Sequence, residues 1–369
     1  MVEIPDNIQT WQMIKPWTKD RETGRIIEGK LELTEIPVPQ LQPREALVEI
    51  SGCGVCHTDL GYFYDGVPTV TNPPLTLGHE ISGVVVAGEN KLVGKEVIIP
   101  AVMPCNNCPI CAAGRGNRCL SQKMPGNSLG IYGGFSSHIP VPSSDLCVVE
   151  DRGDFQLSEL AIIADAVTTP YQACVRAGIK QGDNVVVVGV TGGVGSYVAQ
   201  MAKAFGAKTV IGIARNPERL KRALRYGADF VINSTGKDAK TVRDEFQELC
   251  KTNNLPSKYG WIIFEATGTA PGQVVALNVL SFIGKLIVIG FGMQKNEFSI
   301  SRLMAFDAEI IGTWGCLPEY YPKVLELVLN ETIKIKPFTE TRPMSKIKEV
   351  FEEAHARKLT KRVVLTPDL

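Results

Sequence analysis

Four cysteines crowd a single loop: Cys105, Cys108, Cys111 and Cys119, spaced C-x2-C-x2-C-x7-C within PCNNCPICAAGRGNRC. Proline, glycine and asparagine keep that loop tight, so four thiolates can converge on one ion. Four sulfurs complete a tetrahedral shell with no open position, which predicts a structural zinc. The spacing differs from those of iron–sulfur loops. A second group, Cys56, His79 and Glu80, lies upstream in GCGVCHTDL and LGHEISG. Mixed thiolate, imidazole and carboxylate ligands can leave one position for a substrate. Cys53 and Cys56 form a C-x-x-C pair, but only Cys56 has later partners, and Cys53 reads as a small buried side chain. A closed site and an open site in one chain point to a zinc enzyme. If the metal lies in the cleft between two domains, a third ligand must come from the start of the second, where Asp165 in AIIADAVTTPYQA is the candidate. An Asp ahead of a helix-like stretch can equally serve as an N-cap.

A third constellation concerns phosphate. After the run VVVV the chain reads Gly189-Val-Thr-Gly192-Gly193-Val-Gly195 and opens into an amphipathic stretch. Glycine there lets backbone approach a pyrophosphate, whose charge then rests on a helix N-terminus. An acid about twenty residues on should bind the adenine ribose of NAD. This chain has Ala214 followed by Arg215 instead. Arg215 can pair with the 2′-phosphate of NADP. It can also stack on the adenine of NAD or face solvent.

These residues need two kinds of scaffold. The first ~160 residues carry short β-type runs (ALVEI, GVVVAG, EVIIPAV) broken by Pro and Gly, which predicts a barrel-like β domain with loops. From near Leu157 the texture becomes β-α-β-α-β, through VVVVGV, TVIGIA, DFVIN, WIIFEATG and GKLIVIGFG. That alternation predicts a doubly wound parallel sheet, an α/β fold. The last ~60 residues return to mixed texture and end in RVVLTP, expected to pack back on the first domain. At 369 residues the chain can hold two cores. Its formal net charge of zero lacks the basic field that nucleic-acid binding requires. No apolar run is long enough to span a bilayer. Ten cysteines without a signal-like start favour thiols in a reducing compartment, so the expected location is cytoplasmic.

Together, GCGVCHTDL, LGHE, the cysteine loop, YGGFSSHI, GVTGGVG, FEATG and KRVVL fall in the order and approximate spacing of the zinc-dependent medium-chain alcohol dehydrogenases. The chain resembles that family over nearly its whole length. The resemblance implies a GroES-like catalytic domain over 1–160 and 306–369 and a Rossmann domain over 161–305. It implies a catalytic zinc on Cys56, His79 and Asp165, with Glu80 as an alternating carboxylate, and a structural zinc on the four-cysteine loop. Thr58 would contact the substrate oxygen, Asp59 would orient His79, and His57 and Arg362 would face the cofactor. Three departures stand out. Asp165 replaces the second cysteine of many relatives, Gly61 replaces a histidine that ends the proton relay in several, and Ala214 replaces the usual acid. The proton must then leave by another route, through His57 or water.

Within the family, YFYDGVPTV, KMPGNSLGIYGGFSSHIPVP and MAFDAEIIGTWGCLPEYYP are similar to members acting on an alicyclic hydroxyacyl-CoA thioester with NAD. That likeness implies an acyl-CoA substrate, although no run shows a CoA site by composition or spacing. Two other readings are open: a zinc alcohol or polyol dehydrogenase for another small secondary alcohol, and a zinc-stabilised nucleotide-binding protein without zinc chemistry. The family also implies a homo-oligomer, a dimer or tetramer.

Overall fold

The computed structural model describes residues 4–20 and 22–369, which form two compact units. The first unit runs to Thr168 and takes in Gly315–Leu329 and Ile335–Leu369; the second is Thr169–Trp314 with Asn330–Lys334.

The second unit is built on six parallel strands. In spatial order they are Phe230–Asn233, Thr209–Ala214, Asn184–Val188, Trp261–Glu265, Lys285–Val288 and Glu309–Gly312. Numbered along the chain this is 3-2-1-4-5-6, the doubly wound order, whose reversal creates a crevice at the carboxyl end of the first strand. The central strands are buried β-branched runs, as a sheet covered on both faces requires. Val186, Ile211, Ile263 and Phe246 pack with Trp261 in the core, and the Phe246 and Trp261 rings meet edge to face at 5.1 Å. Asn216 caps helix Pro217–Arg225 and Asp238 caps helix Ala239–Thr252, each accepting a first-turn backbone N–H that the helix itself leaves unpaired.

The first unit centres on strand Glu45–Gly54, which pairs antiparallel with Glu80–Ala87, His138–Pro142 and the C-terminal strand Arg362–Thr366. A separate three-stranded sheet orders Lys30–Pro37, Asn7–Lys15 and Leu75–Thr76. Val48, Ile81, Ile99, Phe135, Phe351 and Leu365 share its core. Each such side chain contributes about 1.5–3 kcal/mol on burial.

The units divide later than the change of sequence texture near 160 and 305 suggests. The 3-10 stretch Leu157–Ala164 belongs with the first unit because Ser82 Oγ donates to the Leu157 carbonyl (2.7 Å) and Tyr321 to that of Ala164. Asp165 therefore lies in the first unit, beside the other candidate ligands. Glu309–Gly312 belongs with the second because it extends the parallel sheet. Among the described residues no helix is long and apolar enough to cross a membrane.

Candidate active site

Strand Glu45–Gly54 turns directly into helix His57–Tyr64, with Cys56 as the extended N-cap residue. Asp59, fully buried, ties this turn to the next ligand. Its Oδ2 accepts the Cys56 N–H (3.0 Å), its Oδ1 accepts the Gly78 N–H (3.0 Å), and Oδ1 lies 3.3 Å from His79 Nδ1. Gly78 has φ +94° and precedes His79 in that turn, a conformation that favours glycine. A Cβ on Gly54 would fall 2.1 Å from Glu80 Oε2, so glycine there admits the carboxylate.

Cys56, His79, Glu80 and Asp165 each offer a donor atom within 4.8 Å of the others. His79 Nε2 is 3.6 Å and Cys56 Sγ 3.8 Å from Asp165 Oδ2. Donors bound to tetrahedral zinc at about 2.0–2.3 Å stand roughly 3.3–3.8 Å apart. Both ring nitrogens of His79 are buried, Nδ1 beside Asp59 and Nε2 turned to Asp165, with neither in a well-formed hydrogen bond, an arrangement that fits a metal ligand. Burial opposes a charge on His79, yet Asp59, Asp165 and Cys56 together hold its pKa well above the ordinary value. Such an anionic pocket is completed by a cation. The residues therefore fit a zinc ion held by Cys56, His79 and Asp165. Thr58 Oγ1 stands 3.6 Å from Cys56 Sγ, at the edge of this set.

Glu80 is engaged from behind. Arg362 Nε donates to Glu80 Oε2 at 2.6 Å and its Nη2 donates to Oε1, both side chains being nearly inaccessible. Burial raises the Glu80 carboxyl to about 7, against the opposing pull of the Arg362 cation. The guanidinium expected to face the cofactor is thus turned onto a carboxylate 282 residues away. No local spacing announces that pair. His57 keeps an exposed edge, while desolvation of its ring and the cations of Arg362 and Arg357 hold it below the ordinary histidine value.

In the cysteine loop, Cys108 Sγ lies 3.5 Å from Cys111 Sγ and 3.8 Å from Cys119 Sγ. Thiolates on one tetrahedral zinc stand about 3.8 Å apart. Cys108 precedes the short helix Pro109–Ala112, which sets Cys111 one turn further on. The backbone N–H groups of Cys105 and Ser121 each donate to Cys119 Sγ at 3.3 Å. Hydrogen bonds from the Leu120 and Cys111 backbones lower Cys108 to about 6, whereas desolvation raises Cys111 to about 11. All ten cysteines are free of disulfides. These residues also fit zinc, with no position left open.

In the second unit, Gly189 leaves strand Asn184–Val188 at φ +91° and its carbonyl accepts the Gly192 N–H at 2.9 Å. A Cβ on Gly195 would come 2.1 Å from that carbonyl, so only glycine allows helix Gly195–Ala204 to start against the turn. Gly192 and Gly193 are exposed at the helix N-terminus, where backbone N–H groups suit a pyrophosphate. Ala214 ends its strand buried, and Arg215 follows it exposed. One group escaped assignment in the sequence: Glu265 of the FEATG run. It is buried, accepts the Thr267 N–H at 2.8 Å, and so orders the turn against which Gly189 packs.

The chain matches the family of alcohol dehydrogenase GroES-like domains over residues 42–151 and that of zinc-binding dehydrogenases over 193–330. It is 30% identical to a D-arabinose 1-dehydrogenase (NADP(+)) of Saccharolobus solfataricus, over 91% of this chain and 94% of the relative. It is 28% identical to a sorbitol dehydrogenase of Bombyx mori, over 88% and 92%. Among solved structures, galactitol-1-phosphate dehydrogenase from Escherichia coli superposes with a TM-score of 0.83 at 21% identity, covering 97% of this chain and 100% of that one. With a doubly wound sheet, two cysteine-bearing donor sets and 30% identity over nearly the full length of a relative, the chain belongs to the zinc-binding medium-chain alcohol dehydrogenases, enzymes that use NAD or NADP.

Proposed function

We propose that this enzyme oxidises a secondary alcohol to a ketone with NAD(P) as hydride acceptor, at the site formed by Cys56, His79 and Asp165. The observation that carries this reading is the donor set itself: three candidate ligands of mixed type, His79 Nε2 buried with no hydrogen bond, and a hydroxyl alongside. Zinc bound there supplies the Lewis acidity that lowers the pKa of an alcohol. Asp59 holds the His79 ring by its far nitrogen and locks the Cys56 backbone. Thr58 takes the hydrogen bond of the substrate hydroxyl and passes its proton outward. Gly61 offers no side chain to continue that path. His57, with its lowered pKa, is neutral at pH 7 and so able to receive a proton. Glu80, held by Arg362, stands behind the ligands and can alternate onto the metal if Arg362 releases it. The turn Gly189–Gly195 holds the dinucleotide pyrophosphate. In this assignment the metal ligands lie in residues 1–160 except Asp165, and 161–305 otherwise carries the cofactor, with one catalytic and one structural zinc per chain.

The substrate has two readings. The relatives' names favour a sugar or polyol. The resemblance of the runs Tyr62–Val70, Lys123–Pro142 and Met304–Pro322 to family members that act on a CoA thioester implies 6-hydroxycyclohex-1-ene-1-carbonyl-CoA, oxidised to the 6-oxo thioester. Absorbance at 340 nm with each alcohol, run separately with NAD and NADP, distinguishes them. Reduction with the CoA thioester and none with sorbitol, xylitol or D-arabinose supports the thioester; the reverse supports the polyol reading. Failure with every secondary alcohol tried would remove the proposal. The preferred cofactor decides whether Arg215 reads a 2′-phosphate.

A further inference from the structure

Asp165 stands outside every regular element. It ends the 3-10 stretch Leu157–Ala164 with φ −140° and ψ −57°, three residues before helix Thr168–Ala177 begins. Its carbonyl accepts the Thr168 hydroxyl at 3.4 Å. The adjoining carbonyl, that of Ala164, is unusually well held. Thr168 Oγ1 donates to it at 3.1 Å, and the Tyr321 hydroxyl donates to it at 2.5 Å. The same phenolic oxygen accepts the N–H of Ala101 at 3.0 Å, just past strand Glu96–Ile99. Tyr321 is fully buried at the start of helix Tyr321–Leu329. Its one hydroxyl thus joins three pieces of chain separated by 157 and 220 residues, and one of its two bonds ends next to Asp165. Desolvation raises its pKa well above the ordinary tyrosine value, so it remains a neutral donor.

We infer that Tyr321 is a positioning residue for the catalytic metal: by fixing the Ala164 carbonyl between two hydroxyls it sets the direction of the Asp165 carboxylate. This rests on the reading of Asp165 as a ligand. Tyr321→Phe removes the hydroxyl at nearly constant volume and leaves the Ala101 N–H without its acceptor. The full-length zinc-loaded enzyme would be titrated with a chelator while zinc release is followed with a chromophoric dye. The expected result is a 10–100-fold weaker hold on one zinc per chain, the range for groups that support metal ligands, with the second zinc unchanged. Phe351→Leu, a core change in the same unit, serves as a control for general loosening. Wild-type zinc affinity in Tyr321→Phe, or a loss no greater than in Phe351→Leu at matched Tm, would overturn the inference. Asp165→Asn separates the two levels: if it retains both zincs, the ligand reading itself has failed; if it loses one while Tyr321→Phe does not, only the inference has. Should Tyr321→Phe not fold, Thr168→Val removes the other hydroxyl on the same carbonyl, and an unchanged affinity there also overturns it.

Discussion

Glu80 and Arg362 form a nearly inaccessible ion pair in the first unit, and Glu80 lies against Cys56, His79 and Asp165. Removing one partner leaves the other charge buried and uncompensated. Arg362→Leu should therefore destabilise the chain by about 3–5 kcal/mol, read as a lowered midpoint in urea; a change under about 1 kcal/mol would mean that water reaches Glu80. His57 gives a pH signature. Its ring takes up a proton less readily in the folded chain than in the unfolded one, so its contribution is whole above the ordinary histidine range and declines as pH falls through it. His57→Gln should flatten the loss of stability between about pH 7 and pH 5, measured as Tm against pH. At this scale the ligand types were legible because Cys56, His79 and the clustered cysteines have few other uses at such spacing. The Glu80–Arg362 pair and the Tyr321 hydroxyl were not, since each joins residues from opposite ends of the chain through tertiary packing alone.

The elements that present these groups were legible to the degree that their burial follows a period. NVVVV, TVIGIA and WIIFE are continuous buried runs and read as central strands. Glu309–Gly312 is mostly exposed and carries no such signal, so the parallel sheet extends beyond the limit its texture suggests. Leu157–Ala164 misleads in the other direction: its apolar run looks like the start of the nucleotide fold, but its hydrogen bonds go to the first unit. The glycine turn can be tested as an element. Gly195→Ala would place a Cβ 2.1 Å from the Gly189 carbonyl and force the turn open. NAD(P) binding should weaken at least about tenfold, roughly 1.4 kcal/mol, in a fluorescence titration, with zinc content unchanged. Equal binding would show that the turn does not carry the pyrophosphate. In the cysteine loop, Cys108→Ser should cost one zinc per chain and lower Tm, because metal binding there is also folding energy. Retention of both zincs would remove the loop as a metal site.

For the whole molecule, the chain's zero formal charge and ordinary composition say little beyond what they exclude. The proposed function rests on two donor sets, one of mixed ligands and one of four cysteines. The mixed set includes Cys56, buried at the N-cap of its helix with its thiol facing Asp165. The most direct measurement combines zinc analysis of the wild type and Cys56→Ala with deuteride transfer from a carbinol-deuterated secondary alcohol to NAD(P), read by NMR of the nicotinamide. Two zincs and deuterium transfer in the wild type are predicted, against one zinc, intact cofactor binding and no transfer in Cys56→Ala. Undiminished transfer in the variant lacking that zinc would contradict the assignment of the chemistry to Cys56, His79 and Asp165.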